Sequence, residues 1–234
     1  MWVLSFAAPE VAATARAGQF VNLGLEGFLL RRPFSVYRAE GDRVEVILKA
    51  VGAGTEKLLS LRPGDAVSCL GPLGHGFDFA GGEKTAVLIS GGLGVAPMPL
   101  AARDARKAGL HVTWVHGART AAELCSESEG DDVIMATDDG TSGFAGTAVA
   151  AAPDAELVLA CGPNRMLAGV ADRWPGAQVA VETYMGCGTG VCLGCAVPLR
   201  SGGYDRACTE GPVYRASALD WSALPSHHAY AVTA

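Results

Sequence analysis

The sequence predicts a multi-domain β plus α/β protein, with an N-terminal antiparallel β-barrel, a doubly wound parallel-sheet domain and a small C-terminal segment. Three observations lead there. Residues 1–80 alternate short β-prone runs with turn residues, and residues 81–182 alternate continuous apolar runs with helix-like stretches. Residues 183–234 are short, glycine-rich and hold four of the seven cysteines. A chain of 234 residues, half of them hydrophobic, has material for one large core or two modest domains with an appendage, at roughly 100–200 residues per domain.

In the first part, β-prone runs at residues 3–6, 20–25, 34–38, 44–49 and 66–70 are divided by turns at Gly18, Gly41 and Pro63-Gly64. Val44-Glu45-Val46-Ile47 partly alternates, as a half-buried antiparallel strand does. Five or six such strands suffice for a small closed barrel. After Gly81-Gly82 the rhythm changes. Residues 86–90 form a continuous apolar run of the buried parallel kind, followed by a glycine-rich turn and a helix expected over 99–108. Further strands are expected at 112–116, 133–137, 157–161 and 179–182, with helical stretches between several of them, which is the doubly wound α/β pattern.

Charge and hydropathy narrow the function classes. A net charge of −6 leaves no basic excess to neutralise phosphates, so nucleic acid is not an expected partner. The mean hydropathy of +0.25 is high, yet no apolar run approaches the roughly 18–20 residues that span a membrane. The first ten residues lack a basic start, a long apolar stretch and a cleavage site, so a soluble cytoplasmic protein is expected. Acidic clusters at 127–132 and at Asp138-Asp139 read as solvated loops.

Cys187, Cys192, Cys195 and Cys208 stand in the pattern C-x4-C-x2-C-x12-C. The x4–x2 spacing with interspersed glycines is the plant-type ligand pattern of a [2Fe–2S] cluster. Glycines let the backbone fold closely around such a cluster, and their amides can reach its sulfurs. A structural zinc site usually uses paired C-x2-C knuckles instead, and disulfides need an oxidising compartment. Zinc, disulfides and four unrelated thiols remain the alternatives. Cys69 and Cys125 show no partner pattern and read as ordinary thiols.

Weaker signals point to nucleotides. Arg31-Arg32-Pro33-Phe34-Ser35 offers a guanidinium and a hydroxyl suited to a diphosphate. Gly52-Ala53-Gly54-Thr55 can open a helix whose amides suit a pyrophosphate, or it is a plain turn. Gly91-Gly92-Leu93-Gly94-Val95-Ala96-Pro97 follows the first parallel strand, where an α/β sheet binds nucleotides, and Cys161-Gly162-Pro163 follows a later one. Tight strand–helix turns are the competing account of both.

Taken in order, these pieces resemble the ferredoxin–NADP reductase superfamily. The segment from Met185 to Cys195, with Arg206-Ala207-Cys208 and the residues to Tyr214, narrows the resemblance to the electron-transfer subunits of type 1B dihydroorotate dehydrogenases. The resemblance implies FAD held by Arg32, Pro33, Phe34, Ser35, Ile47, Leu48, Lys49, Gly54 and Thr55. It implies NAD at Gly91, Gly92, Gly94, Pro97, Cys161, Gly162 and Pro163, and the cluster on the four cysteines. It further implies an FMN-containing catalytic subunit as partner, in a heterotetramer of two plus two. His75 stands where the resemblance leads one to expect Asn, which leaves its role open, and Arg119 stands where some relatives contact a 2′-phosphate. This chain has no room for a (β/α)₈ barrel of about 250 residues, so substrate oxidation is assigned to the partner. Rival assignments are the reductase subunit of a hydrogenase, sulfide dehydrogenase or ferredoxin:NADP oxidoreductase complex, a zinc-stapled binding module, or a stand-alone oxygenase reductase.

Overall fold

A computed structural model describes residues 1–125 and 129–224. Residues 127–128 of the acidic cluster, and the last ten residues of the C-terminal segment, lie outside the described residues.

The first part contains β1 (Trp2–Ala7), α1 (Pro9–Thr14), β2 (Phe20–Gly24), β3 (Arg32–Ser35), β4 (Arg38–Glu40), β5 (Arg43–Leu48), α2 (Ala53–Leu59) and β6 (Ser68–Leu73). Its six strands hydrogen-bond as two three-stranded antiparallel sheets, β1-β5-β4 and β3-β2-β6. The run at 34–38 was expected to be one strand. It divides because Val36 and Tyr37 turn fully inward between β3 and β4 and bond Gln19 and Glu45 instead of one neighbouring strand. Helix α1 was not anticipated. Its alanine-rich turn is too short to show a helical period, and it is held by Val11 in the core.

The second part contains β7 (Thr85–Gly91), α3 (Met98–Lys107), β8 (His111–Ala118), β9 (Asp132–Thr137), β10 (Phe144–Ala145), α4 (Ala148–Ala151), β11 (Leu157–Cys161), α5 (Asn164–Arg173) and β12 (Gln178–Ala180). These strands pair in parallel in the order β10-β9-β8-β7-β11-β12. The chain winds outward from β7 in both directions, so the crevice at the end of β7 is the switch point of the sheet. The C-terminal segment adds the hairpin β13 (Ala196–Pro198) and β14 (Tyr204–Arg206), and then β15 (Val213–Arg215). Strand β15 pairs antiparallel with β12 and becomes the seventh strand of the large sheet.

Period-two alternation along the parallel strands feeds two cores. Leu88, Trp114 and Leu159 face one core, shared with α3 and with Val21, Leu23 and Val46 of the first part. Ile89, Val115 and Ala160 face the other, shared with Leu167 and Val170 of α5 and with Cys195, Val197 and Cys208 of the C-terminal segment. The sheet thus packs against most of the first part through one set of side chains and against the cysteine segment, with Phe20 and Leu73, through the other.

Candidate functional site

The four cysteines divide into an inner and an outer pair. Cys195 and Cys208 are buried in the second core with their Sγ atoms 3.3 Å apart, Cys187 is half-buried and Cys192 is exposed. The backbone between them donates to sulfur: Thr189 N–H and Cys192 N–H to Cys187 Sγ, both at 3.4 Å, Gly194 N–H to Cys192 Sγ at 3.4 Å, and Gly190 N–H to Cys208 Sγ at 3.1 Å. This geometry needs left-handed backbone at Gly188 and Gly190, and Leu193 adopts it too, at φ 57°. The donors from Thr189 and Cys192 hold the Cys187 thiol down at about 5, whereas burial pushes Cys208 up to about 11.

Cys208 is delivered by a clamp that the cysteine spacing does not reveal. Arg206 pairs with Glu210 through its guanidinium and its own N–H, the latter at 2.7 Å, and Thr209 Oγ1 donates to the same carboxylate at 2.8 Å. Arg206 Nη1 then reaches the Gly190 carbonyl at 3.2 Å, tying the Cys208 turn to the cysteine loop. Those charged hydrogen bonds hold Glu210 at about 2. Four thiols, three of them met by backbone N–H donors, fit the ligand set of a two-iron cluster.

The first part reaches this loop through Asn22. Its side chain is fully buried on β2, opposite Pro33, and Nδ2–H donates to the Cys187 carbonyl at 3.0 Å. Among the described residues Asn22 Oδ1 has no partner. A side chain on Gly188 would collide with the Asn22 amide, so the loop lies directly on the sheet.

The two arginines of the Arg-Arg-Pro-Phe-Ser motif separate. Arg31 is spent on structure, donating to the Asn22 carbonyl at 3.2 Å, the Ser68 carbonyl at 3.2 Å and Ser68 Oγ at 2.8 Å. Arg32 stacks over the Phe28 ring at 4.5 Å and lies on the backbone of Gly54, where any Cβ would displace it. The helix expected after Gly52 is observed as α2. Thr55 Oγ1 accepts from Val51 N–H at 2.8 Å and Gly52 N–H at 3.2 Å and donates to the Gly52 carbonyl at 2.9 Å, so this hydroxyl shapes the loop. The side chains of Ile47 and Leu48 are core, leaving only their main chain to meet a ligand. Residues 49–53 are exposed, as are Leu29, Leu30 and Val51. A cation beside open backbone and apolar side chains suits an amphipathic cofactor with a diphosphate.

At the switch point lies a cleft of about 860 Å³. One end is lined by Gly91, Gly92, Pro163, Arg165 and Met166, the other by Gly117, Arg119, Glu123, Asp138 and Thr147. Of the predicted nucleotide residues, Gly91, Gly92 and Pro163 line it. Gly94 and Gly162 are packing glycines: a Cβ on Gly94 would run into the Cys161 carbonyl, and one on Gly162 would meet the Met166 methyl at 2.7 Å. Pro97 is buried and caps α3. Cys161 is buried in the first core, and burial pushes its thiol strongly up, so it stays neutral.

A largely buried polar chain links β7, β8 and Cys125. Trp114 Nε1–H donates to Ser90 Oγ at 2.9 Å, Ser90 Oγ lies 2.9 Å from His116 Nδ1, and Cys125 N–H donates to His116 Nε2 at 3.2 Å. An N–H can only donate, so Nε2 accepts and the neutral ring carries its proton on Nδ1. Burial pushes the imidazole down to about 4. The sequence signal for Glu123 was its position four residues after Arg119. Nothing in the sequence marks Asn22 or His116, because their partners lie across the fold.

Residues 182–220 match the family described as the iron–sulfur cluster binding domain of dihydroorotate dehydrogenase B. The chain is 37% identical over 217 residues to the dihydroorotate dehydrogenase B (NAD(+)) electron transfer subunit of Geobacillus kaustophilus, covering 85% of this chain and 84% of that one. It is 33% identical over 247 residues to the subunit of the same name from Desulforamulus reducens, covering 94% and 92%. Among solved structures it resembles the NADH-dependent reduced ferredoxin–NADP oxidoreductase at a TM-score of 0.84 and 29% identity, over 94% of this chain and 85% of that one. It also resembles an Amycolatopsis cytochrome P450 reductase at 0.55 and 28%, over 67% and 56%. With two buried and two outer thiols in an amide-lined loop, and with these relatives over most of its length, the chain belongs to the family of dihydroorotate dehydrogenase B (NAD(+)) electron transfer subunits.

Proposed function

We propose that this chain carries electrons from the FMN-containing catalytic subunit of a dihydroorotate dehydrogenase, by way of a [2Fe–2S] cluster and FAD, to NAD⁺ in pyrimidine biosynthesis. The observation that carries the reading is the amide-lined four-cysteine loop, joined by Asn22 to the sheet that bears Arg32. The cofactors supply the chemistry: hydride exchange with the nicotinamide moves two electrons, the cluster moves one, and a flavin handles both.

The protein's part is binding and positioning. Cys187, Cys192, Cys195 and Cys208 hold the cluster, with the inner pair anchored in the core and the outer pair facing out. The two three-stranded sheets are read as the halves of a flavin-binding barrel, residues 1–80. There Arg32 takes the diphosphate, Thr55 shapes the loop that receives it, Pro33, Phe34 and Ser35 line the site, and Ile47, Leu48, Lys49 and Gly54 offer main chain. The parallel sheet, residues 81–182, takes NAD at Gly91, Gly92 and Pro163, with Arg165 beside the pyrophosphate. Gly94, Pro97, Cys161 and Gly162 keep that edge tight. Residues 183–234 form the cluster-binding part, and two such chains join two catalytic subunits in a cytoplasmic heterotetramer. No described helix is long and apolar enough to cross a membrane.

The test is spectroscopy and metal analysis of anaerobically purified protein, followed by mixing with the catalytic subunit. Flavin bands, iron and sulfide in equal amounts, and dihydroorotate-dependent NAD⁺ reduction only with the partner are expected. A colourless protein containing zinc would overturn the reading. The likeness to the ferredoxin–NADP oxidoreductase favours a second reading, a reductase subunit of that kind of complex. Failure to couple to dihydroorotate, with flavin and cluster intact, would favour it.

A further inference from the structure

The far end of the nucleotide cleft is built around one cation and two acids. Arg119 follows β8, and Glu123 closes the short turn Ala121–Glu123. Arg119 Nε–H donates to Glu123 Oε2 at 3.1 Å, and Nη2–H donates to Oε1 at 2.5 Å. This two-pronged bond uses the guanidinium edge that would otherwise grip a phosphate. Asp138, at the end of β9, lines the same wall, with its N–H bonded to the Ala118 carbonyl at 3.0 Å. One guanidinium therefore faces two carboxylates.

The loop carrying Glu123 is fixed at several points. Ala121 N–H donates to Thr141 Oγ1 at 2.9 Å, and Glu123 N–H donates to the Thr120 carbonyl at 3.1 Å. Two residues beyond Glu123, the Cys125 N–H is tied to buried His116. The loop that presents Glu123 is thus held in place, and the Arg119 side chain, 79% exposed, reaches its carboxylate from solvent. The position of this pair suits the adenosine ribose. In an α/β dinucleotide site the pyrophosphate lies at the first strand's turn, and the ribose hydroxyls meet side chains beyond the second strand. Here Gly91-Gly92 stand at the first of these places, and Arg119 and Glu123 stand just past β8.

A ribose with a free 2′-hydroxyl can donate to a carboxylate. A 2′-phosphate brings about −1.5 to −2 of charge up against the Glu123 and Asp138 carboxylates, while the guanidinium edge that would grip it is taken by Glu123. We infer that Glu123 sets the dinucleotide selectivity of this cleft. By occupying Arg119, and together with Asp138, it excludes a 2′-phosphate and admits the unphosphorylated ribose. Removing that one carboxylate turns Arg119 into a 2′-phosphate site. This inference rests on the reading that the cleft binds a nicotinamide dinucleotide.

The experiment measures binding of ADP-ribose and 2′-phospho-ADP-ribose to the full-length, cofactor-loaded protein by calorimetry. It compares the wild type, Glu123→Ala, and Glu123→Ala with Arg119→Ala. Neither probe carries a nicotinamide, so electron transfer does not enter the readout. The wild type is expected to prefer ADP-ribose. Glu123→Ala is expected to bind the 2′-phosphorylated probe roughly 10–100-fold more tightly than the wild type, the range of a charged hydrogen bond regained. The double variant is expected to lose that gain. No gain in Glu123→Ala, a gain that survives removal of Arg119, or a wild type that prefers the phosphorylated probe would each overturn the inference while leaving the dinucleotide reading intact. A wild type that binds neither probe would overturn both.

Discussion

The cysteine loop and the nucleotide cleft both sit against the large sheet, but they are made of opposite materials. The loop presents side-chain ligands and uses backbone amides as support: four sulfurs, with N–H groups aimed at three of them. The cleft presents backbone and empty space, with glycines at the ends of β7 and β8 and a few charged side chains on its walls. A metal site must supply defined donor atoms, so it is specified by residue identity. A nucleotide site must supply room for close approach, so it is specified by what is missing. The two should therefore fail differently when altered.

The largest effects belong to the cysteines, where inner and outer ligands can be set against each other. Cys192→Ser and Cys208→Ser should both abolish the cluster, read as loss of iron, sulfide and its visible bands. Cys192 is exposed, so that variant should keep its fold and its flavin. Cys208 is buried in the second core, and putting a more polar hydroxyl in place of its sulfur there costs a further 1–3 kcal/mol, roughly, in a denaturation midpoint. Equal stability of the two variants would remove the distinction between the pairs.

In the cleft, Gly94→Ala adds one methyl against backbone and should cost about 1–3 kcal/mol or more, with weakened NADH binding. Normal stability and binding in that variant would show that the β7 and β11 turns are not tightly packed.

Titration of His116 offers a third contrast. Its folded-state value lies near 4 against an ordinary 6.5, so the unfolded chain takes up the proton first as pH falls. The stability this contributes is fully present above about 6.5 and is lost as pH drops toward 4, on the order of 3 kcal/mol. His116→Gln should flatten that part of the stability–pH curve. A curve of unchanged slope would place the titrating group elsewhere.

The smallest expected effect sits where the cysteine loop meets the first part of the chain. Asn22→Ala removes the donor to the Cys187 carbonyl and should cost about 1 kcal/mol, with a changed electron paramagnetic resonance line shape of the reduced cluster. An unaltered signal would show that the loop holds its geometry without that bond.

Much of this was legible in the chain itself. The cysteine spacing pointed to a [2Fe–2S] cluster because its x4–x2 separation with glycines differs from the paired knuckles of a zinc site. The apolar runs named the parallel strands because a short continuous run of apolar residues is visible locally in the sequence. The division of 34–38 into two strands, the entry of β15 into the large sheet and the core positions of Ile47 and Leu48 were not legible, since each depends on which distant residue arrives opposite.

By itself, the sequence determined the spacing of the four cysteines, the change from β-prone to alternating β and α segments, and the presence of glycine turns after β7 and β11. Only the tertiary structure decided that Cys195 and Cys208 are buried while Cys192 is not, and that Arg31 braces strands while Arg32 stacks over Phe28 and lies on Gly54. It alone decided that Glu123 holds Arg119 at the mouth of the cleft. The reason is physical. Residue type fixes what a side chain can bind, whereas burial and pairing depend on neighbours brought together across as many as 165 positions of chain.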